Sequence, residues 1–182
     1  YLGNIMHYHV EVGIPVAEPI IPYPIDYSEA ISRIHGEINH IMRKYDDSGE
    51  MTEDEMREFG IMPHYTEEDD DGDRHLYNPE GIYDWYEIGG RWRLDMIPDT
   101  KNSKMKEFRD LYVSLHTNKL HNGCSLPMHV ITLEEPHDMQ SIRRHEPHDD
   151  YEKMSFDEYM ICVLNKTGQY DDYIWTTVDI HS

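Results

Sequence analysis

Basic residues, cysteine and long apolar runs are all scarce in this chain, and each shortage removes a class of explanation. Sixteen Lys and Arg stand against 37 Asp and Glu, a formal net charge of −21. Such a chain repels phosphate backbones, so direct nucleic-acid binding through a basic face is not expected. The charge points instead to a basic protein partner, bound cations, a saline habitat or imitation of a nucleic acid's charge. A merely solubilising acidic surface accounts for it equally well. Cys124 and Cys162 lie far apart and match no zinc or redox spacing, so reduced thiols are the default. No apolar run approaches the ~20 residues that span a bilayer. The start, Tyr1-Leu2-Gly3-Asn4, lacks the basic and apolar regions of a signal peptide, and it leaves room for residues upstream. A soluble intracellular protein without a membrane partner is expected.

What the chain does have is regular spacing of Ile, Met, Tyr and Trp within a 38% hydrophobic composition, enough for one core over residues 1–182. Ile5 to Val12 alternates as a strand, with Met6, Tyr8 and Val10 on one side and His7, His9 and Glu11 on the other. Ile14 to Pro24 carries four prolines and reads as a loop or extended edge. Asp26 or Ser28 opens a helix whose stripe is Ile31, Ile34, Ile38, Ile41 and Tyr45. Thr52 to Glu55 is a capping box for a short helix ending near Phe59, and the acidic segment from Tyr65 to Asp73 reads as a mobile loop.

Further on, strands are predicted at Trp92 to Ile97 and Met128 to Leu133, with a second long helix at Lys101 to Lys119 between them. Glu134 to Asp150 reads as loop. Ser155 to Glu158 reads as a capped helical turn. Tyr159 to Leu164 and Tyr173 to Ile180 read as the two strands of a closing hairpin around Gly168. The expected architecture is one α+β domain, a mostly antiparallel sheet packed against two main helices.

The densest chemistry lies between Asn78 and Trp92. Asn78-Pro79 opens a turn, and Asp84, Trp85 and Tyr86 set rings beside a carboxylate. Gly89 and Gly90 permit positive φ or a close approach, and Arg91 stands before Trp92. A guanidinium among rings can pair a phosphate in two-pronged fashion and stack on a flat ring, as a pocket for an anionic nucleotide would need. The same residues also suit plain packing, with both Trp in the core, a Gly-Gly bulge, and Arg91 paired to Asp84 or Glu87. This run of Asn-Pro, Asp-Trp-Tyr and Gly-Gly-Arg-Trp resembles a family of small, mostly uncharacterised proteins of bacteriophages and bacterial mobile elements. Its members similarly begin with a strand, carry the motif mid-chain and end with a Gly-turned hairpin. In that family Glu-Trp typically follows the turn glycine, whereas here Gly168 is followed by Gln169-Tyr170. The resemblance implies a phage-type accessory protein in the cytoplasm of a bacterial host. It implies no catalytic residue.

His7 and His9 share a strand face, and His137, His145 and His148 lie in one acid-rich segment. The pair plus a third His or carboxylate could hold zinc, manganese or iron. Thirteen His on an acidic chain also produce such neighbours by chance. The acidic stretch around Gly72 fails as an EF-hand, because the bidentate Glu position falls on Asn78. Phosphate-loop, GxSxG and Cys-His nucleophile motifs are absent.

Two classes of function follow. The first is a binding protein without a cofactor, whose acidic surface inhibits a host defence or nucleic-acid-handling protein. Within that class, the alternative is sequestration of a nucleotide by Arg91 and the surrounding rings. The second class is a metal-dependent phosphoesterase using His7, His9 and a third His. The missing catalytic motifs favour binding over catalysis.

Overall fold

The computed structural model describes residues 6–15, 27–92, 126–135, 138–145, 153–154, 156–164 and 173–182. Its centre is a pair of long antiparallel strands, β1 (His7–Pro15) and β7 (Tyr173–His181), matched residue for residue from His7 against His181 to Pro15 against Tyr173. Two strands flank the pair directly. The short strand β4 (Trp85–Ile88) runs antiparallel along β7, and β5 (His129–Leu133) runs parallel to β1. The outer strand β6 (Ile142–His145) pairs antiparallel with β5, which gives the order β4-β7-β1-β5-β6. The sheet is therefore mixed but mostly antiparallel, within an α+β fold.

β1 and β7 are buried on both faces, because strand residues alternate sides and each side meets a different layer. Val10, Val12, Ile14, Ile174, Val178 and Ile180 belong to the main apolar core. Against it packs α1 (Tyr27–Arg43), whose Ile34, Ile38 and Ile41 are wholly buried at three- and four-residue steps. On the opposite face Val130, Tyr173 and Trp175 form a smaller cluster with Tyr159 and Leu164, where the helix α3 (Phe156–Val163) approaches. Trp175 lies across Gly13, where a Cβ would come within 2.7 Å of its indole. Glycine there is what lets the ring lie flat over β1.

Several expectations need correction. β1 runs on through Ile14 to Pro15. Pro15 is tolerated because it stands at the strand's last position, where a missing N–H matters least. The segment at Tyr159 to Leu164 is helical, not the first arm of a hairpin. A short apolar run has no period that separates helix from strand; in the helix, buried Tyr159 sends its hydroxyl to the Pro127 carbonyl at 2.8 Å. β7 accordingly pairs with β1 and β4 rather than with its neighbour in sequence.

The polar segment after Glu134 contains a 3-10 turn (Met139–Ser141) and β6, anchored by buried Ile142. The acidic loop is the tip of a small hairpin, β2 (His64–Tyr65) with β3 (Leu76–Tyr77), where Asp69 accepts the N–H groups of Asp71 and Asp73. The expected helix at 101–119 and most of the strand at 92–97 lie outside the described residues; Trp92 closes a 3-10 turn. Cys162 on α3 is a free thiol, and Cys124 lies outside the described residues. No helix among the described residues is long and apolar enough to cross a membrane.

The capping box opening α2 (Glu53–Glu58) is present in full. Glu55 accepts the Thr52 N–H, and this bond, with the hydroxyl contact and Arg43, holds its carboxyl below the usual range. A depressed folded pKa means stability present above the unfolded value and lost as pH falls through the folded one. Thr52→Ala should cost about 1 kcal/mol in urea unfolding at neutral pH. The advantage of wild type over Glu55→Gln should shrink in acid; an advantage that grew in acid would contradict the assignment.

Candidate functional site

Alternation along β1 and β7 places a row of titratable groups on the sheet face opposite the main core. His7 faces His181, His9 faces Asp179 and Glu11 faces Thr177 across the ladder, with Trp85 beside His181 and Glu87 beside Asp179 on β4. Most of this row is out of water: His9, Glu11, Thr177 and Asp179 are buried, and Glu11 is completely so. Buried carboxylates in the middle of a sheet are costly unless paired and hydrogen-bonded. The pairing that answers this cost defines the site.

Asp179 is the hub. One oxygen lies 2.9 Å from His7 Nδ1. The other accepts the Arg91 backbone N–H at 3.1 Å, with the guanidinium Nε 3.7 Å away. The ring of His181 packs edge-on against His7 at a centroid distance of 3.7 Å and against Trp85 at 4.2 Å. The nearest donor atoms of His7, Asp179 and His181 all lie within 4.8 Å of one another. Nε2 of His181 is buried and has no hydrogen-bond partner among the described residues.

One step along the sheet, Glu11 accepts from Thr177 Oγ1 at 2.7 Å and lies 2.5 Å from His9 Nε2. Its second oxygen is buried without a hydrogen-bond partner among the described residues. The face thus carries two carboxylate–imidazole pairs side by side, an arrangement suited to holding protons, cations or both.

The Gly-Gly-Arg motif is the bracket around Asp179. Gly89 (φ +79°) donates to the Thr177 carbonyl at 2.8 Å, which ends β4 and turns the chain over β7. Gly90 (φ +40°) then presses against Asp179, where a Cβ would fall 2.2 Å from that residue's own Cβ. Only glycine leaves room for the Arg91 N–H to reach the carboxylate.

The front of the motif is a clamp on the end of α1. Asn78 donates to the Lys44 and Asp46 carbonyls at 2.8 and 3.0 Å, and Tyr83 donates to the Met42 carbonyl at 2.9 Å. Burial, the first cause, and the carboxylate of Asp46 push the Tyr83 hydroxyl far above its usual pKa. That hydroxyl acts as a neutral donor.

The residues singled out from sequence separate cleanly. Trp85, Gly89, Gly90 and Arg91 stand around His181 and Asp179, with Trp85 and the Arg91 side chain each about half exposed, at 51% and 52%. Tyr86 points the other way, against the main core, with its hydroxyl on Asn39 and its pKa raised by burial. Asp84 is exposed; its N–H donates to the His181 carbonyl at 3.0 Å, and its charge is one of the causes that push Asp47 up, after burial and Asp46. The Trp92 side chain lies outside what is described.

Of the histidines, His7 joins the hub and His9 joins Glu11 beside it. His145, on the outer strand β6, contacts Thr132 Oγ1 at 2.9 Å. His137 and His148 lie outside the described residues. Asp179 and His181 were not foreseen. Their signal was in the sequence all the same: Asp179 and His181 alternate in a β-branched strand as His7, His9 and Glu11 do in β1.

No family model, curated protein or solved structure matches the chain. Gly90→Ala should destabilise the fold by about 2 kcal/mol or more, since a positive φ and a carboxylate both oppose the new methyl. Thermal unfolding compares it with Gly36→Ala, whose Cβ meets nothing within 4 Å. Equal effects at the two positions would contradict the bracket.

Proposed function

We propose that the protein acts by binding, and that its site takes an anionic ligand carrying a flat ring, such as a nucleotide, at the rim formed by Trp85 and Arg91. The observation that supports this is a half-exposed indole beside His181 and a half-exposed guanidinium beside Asp179, at one end of a part-buried His–Asp–His row. Trp85 offers a stacking surface, and Arg91 offers a fork for phosphate. His181, wedged between Trp85 and His7, fixes the inner wall. In a chain of net charge −21, such a ligand needs a local basic anchor, and Arg91 supplies one. The likeness of the central motif to phage and mobile-element proteins suits an accessory that captures a nucleotide in the host cytoplasm.

Titration with AMP and ADP in buffered EDTA, followed by tryptophan fluorescence and calorimetry, tests the reading. Binding should fall at least tenfold, about 1.4 kcal/mol, in Arg91→Ala. That substitution keeps the backbone N–H on Asp179, so it removes the guanidinium without dismantling the bracket. Trp85→Phe should lose most of the fluorescence response. Failure of both nucleotides to bind, or indifference to Arg91→Ala, would overturn the proposal.

A second reading has its own support in the acidic groups turned outward on α2 and the β2–β3 hairpin. There Asp54 and Glu58 on α2, and Glu67, Glu68, Asp70, Asp71 and Asp73 in the hairpin, are exposed. On that reading the surface occupies a basic groove of a host defence or nucleic-acid-handling protein. Capture of such a partner should weaken steeply with salt and tolerate Arg91→Ala, the reverse of the nucleotide case.

A further inference from the structure

We infer that His7, Asp179 and His181 form a binding site for one divalent transition-metal ion of the zinc class. The donor set is two imidazole nitrogens and one carboxylate oxygen, the mixture that borderline cations prefer and that Mg²⁺ and Ca²⁺ do not. Zinc bonds of about 2.0–2.2 Å bring neighbouring ligand atoms to roughly 3.3 Å apart. His7 Nδ1 and Asp179 Oδ1 are already at 2.9 Å, and the three donors span no more than 4.8 Å. Closure therefore needs side-chain rotation of an ångström or so, with the backbones held by the paired ladder from His7 through His181.

Two further features fit an ion there, and the donor set has a consequence for its charge. Asp179 already has an outer partner for its second oxygen, the Arg91 N–H, which would fix the orientation of a ligating carboxylate. His181 carries a buried Nε2 with no hydrogen-bond partner among the described residues, a penalty that coordination through that atom would relieve. Finally, two neutral imidazoles and one carboxylate would leave a dipositive ion with net positive charge and an open coordination position. That is the arrangement of sites whose last ligand is exchangeable. His9 and Glu11 do not belong to this set, since they are engaged with one another.

The inference stands apart from the nucleotide reading, and it adds a cation beside Arg91 for a phosphate to meet. Its test uses the full chain, stripped with EDTA and titrated with Zn²⁺ in nucleotide-free buffer against a competing chelator. The expected result is one tightly bound ion per chain, weakened at least tenfold by His7→Gln and by His181→Gln, with the far-UV circular dichroism unchanged. Thirteen His in the sequence make assignment essential. Substitution of Co²⁺ into the wild-type chain should therefore broaden the ring resonances of His7 and His181 while sparing those of exposed His64 and His75.

Absence of stoichiometric Zn²⁺ binding, undiminished affinity in either substituted chain, or broadening centred on other histidines would each overturn the inference. If the substituted chains fail to fold, the Co²⁺ result on wild type decides alone. Because no nucleotide is present, failure here leaves the Trp85–Arg91 proposal standing. Failure of AMP and ADP to bind in EDTA likewise leaves the metal site standing.

Discussion

A carboxylate almost removed from water, Asp179 at 3% exposure, has to be held by donors that do not move. Its two oxygens are met from two directions, by an imidazole on the neighbouring strand and by a backbone N–H on the turn after β4. Neither donor can be lost cheaply, because an unpaired buried charge costs several kcal/mol. The turn must therefore pass within touching distance of Asp179, and this forces glycine at position 90 and positive φ at 89 and 90. The Gly-Gly-Arg run follows from that contact.

The two faces of the central strands divide the labour. On one side Val10, Val12, Val178 and Ile180 pack against α1 and supply the burial that holds the sheet. On the other, His7, His9, Glu11, Thr177, Asp179 and His181 stand where apolar side chains would be cheaper to place. Among the described residues, the apolar packing on that face comes from Trp175, Val130, Tyr173, Tyr159 and Leu164. A sheet that carries a polar row at its centre has its stability supplied elsewhere. Its rigid ladder then fixes the spacing of the polar groups, which favours a preorganised site.

Much of the local structure was legible. Ile34, Ile38 and Ile41 of the α1 stripe and the Thr52 capping box depend on neighbours within one or two turns, and both stand as the spacing predicts. The shared face of His7 and His9 needed only the period of a strand, and Gly89, Gly90 and Arg91 lie in the turn beside Asp179. What was hidden is non-local. His7 and Asp179 are 172 residues apart, and nothing in single-sequence periodicity says which strand lies beside which. Taking β7 as the arm of a terminal hairpin removed the reason to set it against β1. The helix α3 was hidden by the ambiguity of a short apolar run. β6 was hidden because only Ile142 among its residues is buried.

The central claim is that Asp179, braced by the Gly-Gly-Arg turn, is paired with His7 across the β1–β7 ladder. Long-range proton–nitrogen correlation NMR of the imidazoles, in metal-free protein at neutral pH, reads that contact directly. The account predicts that His7 Nδ1 carries a proton, since only an N–H can donate to the Asp179 carboxylate, and that Asp179→Asn changes this signal more than that of any other ring outside the site. An unprotonated Nδ1 on His7, or a His7 signal indifferent to Asp179→Asn, would contradict it.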